Sequence, residues 1–207
     1  SKLMHKIAEK LSRGNICVGD FLEKWYGTKP DYITYGAVEV SSIKYPSFVK
    51  ASAGRQVLSK NKNKLKFLFI GRLEEETGVM EYLKTLVLLK KDRYKFKLTV
   101  LGDGSLRKKA QKISRENKLQ VSFKGFQKDI EKYIEECDYV FTSRYLGILE
   151  AFSYKKFVFA VHNNVIKKDY LSMAPFADFI SISKNSNEIR GKLYKYLSDE
   201  KLRSIKI

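Results

Sequence analysis

Short apolar runs and helically spaced apolar positions alternate along most of the chain. Residues 65–70 form an apolar run that ends at Gly71, whereas apolar residues at 79, 83, 86 and 89 recur three to four residues apart. Such runs predict buried strands, and such spacing predicts amphipathic helices. The pattern predicts strands at 65–70, 96–100, 121–123, 138–141, 157–161 and 179–182, and helices at 79–89, 105–117, 128–137, 146–154, 165–171 and 186–197.

This alternation indicates the fold class. Parallel strands need a crossover connection, which a helix supplies, and such connections are nearly always right-handed. The predicted fold is therefore α/β, a doubly wound, Rossmann-like parallel sheet with helices on both faces. Because ligands of such sheets bind beyond the carboxyl ends of the strands, the turns after Ile70, Leu101, Phe123 and Phe141 should share one rim.

The first 40 residues follow a different pattern. Short strands are predicted at 15–18 and 32–35, with a short helix at 21–26 between them. Residues 41–65 are polar and lysine-rich without a clear period, which is typical of a linker. The predicted organisation is the end of one α/β unit at 1–40, a linker at 41–65 and a complete α/β domain at 66–207.

Composition restricts the class of protein. The chain has 207 residues, of which 43% are hydrophobic, and this is sufficient for a hydrophobic core. The first 13 residues form a charged helical pattern unlike a secretory signal, so we expect a cytoplasmic protein. The two cysteines, Cys17 and Cys137, are too few for a disulfide scaffold or a four-cysteine zinc site.

The net charge of +18 suggests an anionic partner, which is a nucleic acid, an anionic lipid or a phosphorylated substrate. Only nine of the 41 basic residues are arginine, the usual reader of base edges. We therefore expect no nucleic-acid partner and keep a basic nucleic-acid-binding protein as the least favoured hypothesis. A lysine-rich surface gains about 1 kcal/mol per residue near anionic lipid, so peripheral contact with an anionic membrane is a further expectation.

Two turns on the predicted rim have residues suited to a phosphorylated ligand. Arg72 follows the strand at 65–70, where its guanidinium can bind a diphosphate through two donors, although a surface arginine beside a helix start is the alternative. Gly102 and Gly104 allow close approach of the backbone, but they also suit an ordinary strand-to-helix turn. Neither a dinucleotide fingerprint nor a P-loop is complete, so NAD binding and ATP hydrolysis lack support.

A third turn precedes the helix that contains Glu150. A carboxylate within an apolar helical segment needs a partner, and a ribose diol is a natural one. The amides of Leu146, Gly147 and Ile148 lie at the helix start, where a phosphate can bind. Alternatively, Glu150 caps its own helix or pairs with a lysine. His162 follows the strand at 157–161 as a candidate rim contact, and no carboxylate lies at metal-ligand spacing from it.

Together, these segments resemble the C-terminal, nucleotide-sugar-binding domain of the GT-B-fold retaining glycosyltransferases often called group 1. The resemblance lies in FLFIGRL, LTVLGDGSLRKKA, VSFKGF, DIEKYIEECDYVFTS and LGILEAFSYKKFVFAV, in this order. The segments ICVGDFLEKWYG and YITYGAV resemble the end of that family's N-terminal domain, just before the interdomain linker. The resemblance covers most of the chain and implies that residues 66–207 are the GT-B C-terminal domain.

The resemblance also implies roles for individual residues. Arg72 would stabilise the departing diphosphate and Glu150 would hold the nucleotide ribose, and these two are the predicted catalytic residues. The implied nucleotide-sugar-binding residues are Gly71, Arg72, Thr77, Gly102, Gly104, Phe126, Lys128, Ser143, Leu146, Gly147 and Glu150. Among them, Leu146 and Gly147 would donate amides to the phosphates, and Phe126 and Lys128 fall where the family contacts the base.

The implied activity is hexosyltransferase-type transfer with retention, from a UDP-sugar, GDP-sugar or similar donor to a glycan or lipid-linked acceptor. No cofactor and no metal are expected, because positive groups would neutralise the developing diphosphate charge. A GT-B enzyme closes two domains over its donor, and the resemblance implies that most of the N-terminal domain is outside this chain. We expect that domain to belong to a longer protein of which this chain is a piece, and the alternative is that a partner protein supplies it. We therefore expect this chain to bind nucleotide, to need the missing domain for activity, and to act at the inner membrane face.

Two positions depart from the family pattern. The family has a lysine five positions after the arginine, where this chain has Thr77, and a first glutamate where this chain has Thr142. The loop from 143 to 150 is also shorter than in the family. These departures support an alternative hypothesis, a degenerate binding-only module in a glycosylation complex.

Overall fold

The computed structural model describes residues 16–18, 32–34, 64–174 and 176–198. Strands β1 (Ile16–Val18) and β2 (Tyr32–Thr34) pair in parallel, as two of the predicted short strands. The helix predicted at 21–26 and nearly all of the predicted linker lie outside the described residues. The domain boundaries therefore stay predictions.

A six-stranded parallel sheet forms the centre of the structure. Its strands are β3 (Leu65–Ile70), β4 (Phe96–Leu101), β5 (Val121–Gly125), β6 (Tyr139–Phe141), β7 (Phe157–Val161) and β8 (Ile180–Ser183). The strand order is β5-β4-β3-β6-β7-β8, and every pairing is parallel. Counted from β3, this is the 3-2-1-4-5-6 order of doubly wound nucleotide-binding sheets, so the predicted fold class is confirmed.

A helix follows each strand of this sheet. These helices are α1 (Val79–Lys91), α2 (Arg107–Glu116), α3 (Glu131–Glu136), α4 (Tyr145–Ser153), α5 (Val165–Ser172) and α6 (Ser186–Ser198). Short 3-10 helices, Glu75–Thr77 and Ala177–Phe179, precede α1 and β8. The side chain of Asn185 accepts a hydrogen bond from the backbone N–H of Glu188 at 3.1 Å and so caps the start of α6.

Helix α3 is the clearest difference from the predicted elements. The sequence predicts a helix over 128–137, whereas α3 begins only at Glu131. The side-chain amide of Gln127 donates to the backbone carbonyls of Lys124 and Phe126 at 2.9 and 3.0 Å. These bonds hold the segment after β5 as a turn, and a turn at this rim delays the helix.

Two hydrophobic clusters cover the two faces of the sheet, because successive side chains of a strand point to opposite faces. Phe67 of β3 packs among residues of α1 and α6, whereas its neighbour Leu68 packs among residues of α3, α4 and α5. On the first face, the ring of Phe141 stacks on Phe67 at 4.8 Å and on Tyr82 at 4.6 Å. Burial on both faces explains why β7, and all of β3 except Lys66, is apolar in the sequence.

The strand order creates a switch point between β3 and β6. These strands are neighbours in the sheet, but β4 and β5 extend from β3 in one direction and β7 and β8 extend from β6 in the other. The loops that leave β3 and β6 therefore diverge and open a crevice at the carboxyl edge of the sheet. The turns after β3, β4, β5 and β6 share this edge, as the sequence predicts, because all six strands are parallel.

Candidate functional site

A cavity of about 450 Å³ opens at the switch point, beyond the carboxyl ends of β3 and β4. It is lined by Ile70, Gly71, Arg72, Leu101, Gly102, Asp103, Phe126, Gln127, Lys128, Ile130, Arg144 and Glu150. Small-molecule sites typically occupy about 300 to 1,000 Å³ and combine apolar walls with a few polar groups. The cavity has the volume and the mixed lining of a small-molecule site.

The cavity brings together six of the residues proposed from the sequence: Gly71, Arg72, Gly102, Phe126, Lys128 and Glu150. Arg72 directly follows β3, and Glu150 belongs to α4, which follows β6. The two side chains therefore approach the cavity from the two sides of the switch point. A guanidinium and a carboxylate that are distant in sequence line one crevice, whereas their roles in binding stay predictions.

The backbone of the cavity floor is held by hydrogen bonds between loops. The N–H of Gly71 donates to the carbonyl of Leu101 at 3.1 Å, and the N–H of Gly102 donates to the carbonyl of Gly125 at 2.7 Å. Gly102 has φ +129°, and a Cβ added to it would lie 1.9 Å from the carbonyl oxygen of Gly71. The loops after β3, β4 and β5 are thus fixed to one another, and Gly102 is required by their close approach.

Thr77 and Gly104, both proposed from the sequence, do not line this cavity. Thr77 is buried, and its hydroxyl donates to the backbone carbonyl of Glu74 at 2.7 Å, which closes the 3-10 turn before α1. Gly104 packs against the loop after β3, because a Cβ at this position would lie 2.5 Å from the carbonyl oxygen of Leu73. Both residues therefore support the loops of the rim from outside the cavity.

Ser143 also lies outside the cavity lining and fixes the start of α4. Its buried hydroxyl is 2.9 Å from the hydroxyl of Tyr82 and accepts a hydrogen bond from the N–H of Val161 at 2.8 Å. The Tyr82 hydroxyl also donates to the carbonyl of Phe159 at 3.0 Å, and burial raises the pKa of Tyr82. This network joins α1, the β6–α4 turn and β7, so it determines where α4 begins.

Leu146 and Gly147 lie in the first turn of α4, and neither residue is part of the cavity lining. Gly147 is buried against Thr142, since a Cβ on it would lie 2.7 Å from the Thr142 hydroxyl oxygen. The leading N–H groups of an α-helix have no acceptor within the helix, and they favour anions. Any contribution of Leu146 and Gly147 to binding is therefore through their backbone amides.

Two of the charged side chains that line the cavity form ion pairs with neighbouring residues. Arg72 pairs with Glu76 at 2.8 Å, and both side chains are largely exposed. Asp103 pairs with Arg107 at 2.7 Å. Exposed pairs of this kind contribute little to stability and are easily exchanged, so Arg72 is available to a competing anion in the cavity.

Glu150 has an unusual electrostatic environment. Partial loss of contact with water raises the pKa of this carboxyl group, Arg144 opposes that shift, and Glu131 reinforces it. A carboxylate that has lost part of its hydration is a good acceptor for hydroxyl donors.

The candidate rim residue His162 lies directly after β7 and outside the cavity lining, and burial lowers the pKa of its imidazole.

Two functional candidates received no role from the sequence. Arg144 lines the cavity, and its position directly before α4 was the only available signal. Lys167 of α5 donates a hydrogen bond to the backbone carbonyl of Glu76, and burial lowers the pKa of its amine to about 8. No local pattern predicts this second contact, because it joins segments on either side of the switch point.

The described part of the chain has neither a metal-binding cluster nor a membrane-spanning helix. Within it, no three histidine, cysteine, aspartate or glutamate side chains lie together as a metal site. Over the same residues, none of the helices has the length and apolar character needed to cross a bilayer.

A family model described as glycosyl transferases group 1 matches residues 52–205. The chain belongs to this family. The match contains the whole six-stranded sheet and all residues of the cavity, so the resemblance to the C-terminal domain of group 1 glycosyltransferases is confirmed. A sequence search of curated proteins gives no match.

Several solved structures, glycosyltransferases among them, share the fold of this chain. The C-terminal domain of the group 1 protein LpcC from Francisella tularensis has a TM-score of 0.55 and 21% identity, covering 69% of this chain and 80% of that one. WaaG, involved in lipopolysaccharide biosynthesis, has a TM-score of 0.63 and 17% identity, covering 99% and 60%. HepE from Anabaena, in complex with UDP, has a TM-score of 0.68 and 18% identity, covering 97% and 58%. The chain thus corresponds to about three fifths of WaaG and of HepE.

Proposed function

We propose that this chain is the nucleotide-sugar-binding part of a retaining glycosyltransferase. In this proposal it binds a UDP-sugar, GDP-sugar or similar donor, and the sugar is transferred to a glycan or lipid-linked acceptor. The observation that carries the proposal is that Arg72 and Glu150 line one cavity at the switch point of a doubly wound sheet. Family membership supports glycosyl transfer as the reaction class.

The cavity supports a specific orientation of the nucleotide. Phe126 is 81% exposed at the cavity mouth, where its ring offers an aromatic face for a base. Glu150 would accept hydrogen bonds from the two ribose hydroxyls. The diphosphate would then reach Arg72 and the leading amides of α4, which favour negative charge.

We further propose that the leaving diphosphate is stabilised by protein cations without a metal. A guanidinium matches the geometry of phosphate oxygens and can donate two parallel hydrogen bonds. Fixed donors aimed at the bond that breaks would lower the barrier, because they need no reorganisation during the reaction. Titration of a sugar nucleotide with EDTA and with added Mg²⁺ tests this, and a strict Mg²⁺ requirement for binding would contradict it.

A nucleotide panel tests the proposed function directly. The thermal melting of the chain is measured with UDP, GDP, ADP and their glucose conjugates; UDP comes first because the HepE structure contains it. A ligand at a hundred times its Kd stabilises a protein by about 2.7 kcal/mol, which corresponds to roughly 5–10 °C for a domain of this size. Failure of every nucleotide to raise the melting temperature would refute the proposal.

Two variants locate the binding site. Arg72→Ala and Glu150→Ala each remove a charge-assisted hydrogen bond, so each should weaken nucleotide binding by roughly tenfold or more. Glu116→Ala is the control, because Glu116 is an exposed glutamate of α2 outside the cavity lining. Equal binding by all three variants would show that nucleotide binds elsewhere.

A second candidate function is a binding-only module, and two observations favour it. Thr77 and Thr142 occupy the positions where the resemblance implies a lysine and a glutamate, and both are buried. The Thr142 hydroxyl donates to the carbonyl of Ile70 at 2.9 Å, so it is committed to the fold. Nucleotide binding without sugar transfer, in a protein that includes the N-terminal domain, would favour this candidate; measured transfer would exclude it.

The remaining partners are also proposals. The N-terminal domain would supply the acceptor contacts, and the lysine surplus would favour peripheral contact with an anionic membrane surface at the cytoplasmic face. Co-sedimentation with vesicles that contain anionic lipid should exceed that with neutral vesicles, and equal sedimentation would contradict the membrane contact. Tight, strongly salt-dependent binding of single-stranded RNA would instead support the nucleic-acid hypothesis.

A further inference from the structure

The charged side chains of the cavity differ in whether they already have a counter-ion. The charged lining residues are Arg72, Asp103, Lys128, Arg144 and Glu150. Arg72 and Asp103 each have a partner, Glu76 and Arg107 respectively. Neither Arg144 nor Lys128 forms an ion pair within the described segments of the chain. These two cations therefore lie in the cavity wall without a salt bridge to another described residue.

The backbone of Arg144 is fixed at both ends. Its N–H donates to the hydroxyl oxygen of Thr142 at 3.4 Å, and its carbonyl accepts from the N–H of Ile148 at 3.0 Å. Arg144 is the N-cap residue of α4, with an extended backbone, and its side chain makes no capping hydrogen bond. The fold thus fixes the position from which the Arg144 side chain extends, at the switch point between β3 and β6.

The side chain of Arg144 extends between two candidate ligand contacts. Its Cδ would lie 3.7 Å from a Cβ added to Gly71, so it passes beside the residue that precedes Arg72. Its charge also acts on the carboxyl group of Glu150. In a nucleoside diphosphate the phosphates directly follow the ribose, so a group between a ribose contact and a phosphate contact lies beside the phosphates.

We propose that Arg144 binds the diphosphate of the donor together with Arg72. This inference rests on the proposed function, and it assigns the second phosphate-binding cation of the site. The resemblance implies that relatives place a lysine where this chain has Thr77, and Thr77 is buried with its hydroxyl bonded to Glu74. Arg144 reaches the same cavity from the other side of the switch point and restores the positive charge.

The test compares nucleotides that differ only in their phosphates. Isothermal titration measures UDP and uridine, and in parallel GDP and guanosine, against the wild-type chain and Arg144→Gln. We expect the variant to bind the diphosphate about tenfold more weakly and the nucleoside within about twofold of wild type. Arg144→Lys should recover part of the loss, because it keeps the charge but not the bidentate geometry.

Arg115→Gln is the matched control, because Arg115 is an exposed arginine of α2 outside the cavity lining, and the change in net charge is the same. Circular dichroism melting verifies that both variants fold. Wild-type binding of UDP or GDP with equal binding by Arg144→Gln would overturn this inference and leave the proposed function intact. Equal weakening of nucleoside and diphosphate would show that Arg144 acts through Glu150, and would also overturn it. Failure of the wild type to bind any nucleotide would overturn both proposals.

Discussion

Replacing Gly102 with alanine would disturb the floor of the cavity at its closest backbone contact. The new Cβ would lie 1.9 Å from the carbonyl oxygen of Gly71 and 2.9 Å from its carbonyl carbon. Neither atom can move freely, because the N–H of Gly71 is bonded to Leu101 and the N–H of Gly102 is bonded to Gly125. The substitution therefore forces the loops after β3 and β4 apart.

The expected cost has two parts. Residue 102 has φ +129°, a backbone conformation that residues with a side chain rarely adopt, and strain of this kind costs about 1–3 kcal/mol. The overlap with Gly71 adds about 1–3 kcal/mol, as for an overpacked core. Together, Gly102→Ala should lower the free energy of unfolding by roughly 2–6 kcal/mol, which is roughly 5–15 °C in melting temperature for a domain of this size.

Gly191→Ala is the matched control. Gly191 lies inside α6, and apart from its chain neighbours and the backbone of its own helix no described atom lies within 4 Å of a Cβ added there. Alanine is favoured over glycine in a helix interior by about 0.8–1 kcal/mol, so this variant should melt slightly higher than wild type. Thermal melting with and without UDP separates the two effects: we expect Gly102→Ala to lose both stability and nucleotide protection. A Gly102→Ala protein that melts with wild-type stability and binds UDP normally would refute the close-approach explanation.

Three further predictions concern the charges of the site. Glu76→Gln should tighten UDP binding about twofold at low salt, because an exposed i,i+4 ion pair of about 0.3–0.5 kcal/mol no longer competes for Arg72; calorimetry measures this against Glu75→Gln, and weaker binding would contradict it. Glu150 has a raised pKa, so its ionised form is lost as pH falls from neutral toward the ordinary value of 4.5. The affinity advantage of wild type over Glu150→Gln should therefore be largest at neutral pH and disappear on acidification, whereas a constant advantage would exclude a role for the carboxylate. Because a raised carboxyl pKa favours folding only below that pKa, Glu150→Gln should also melt slightly higher than wild type at neutral pH.

The contributions of Arg72 and Arg144 to the binding of UDP should not be additive. Both side chains line the same cavity, and groups that bind one phosphate group are coupled. A double-mutant cycle with Arg72→Gln and Arg144→Gln measures this coupling through the Kd of UDP. A coupling energy near zero would show that the two guanidinium groups contact different parts of the ligand.

The sequence alone determined the elements and the fold class. Strands β3 and β7 were predicted with the bounds they have, since burial on both faces leaves a continuous apolar run that local pattern can identify. Parallel connectivity then followed from helices between strands, and the common rim followed from parallel connectivity. The family assignment also required only the sequence, because it rests on motifs whose order and spacing are local.

The tertiary structure decided the strand order and therefore the site. Periodicity identifies the buried side of a strand but not the strand beside it. The sequence pattern therefore left the pairing of β3 with β6 undetermined. That pairing brings Arg72 and Glu150 to one cavity, adds Arg144 to its wall, and turns Thr77 inward. Each of these outcomes depends on non-local packing at the switch point, where residues far apart in the chain come into contact.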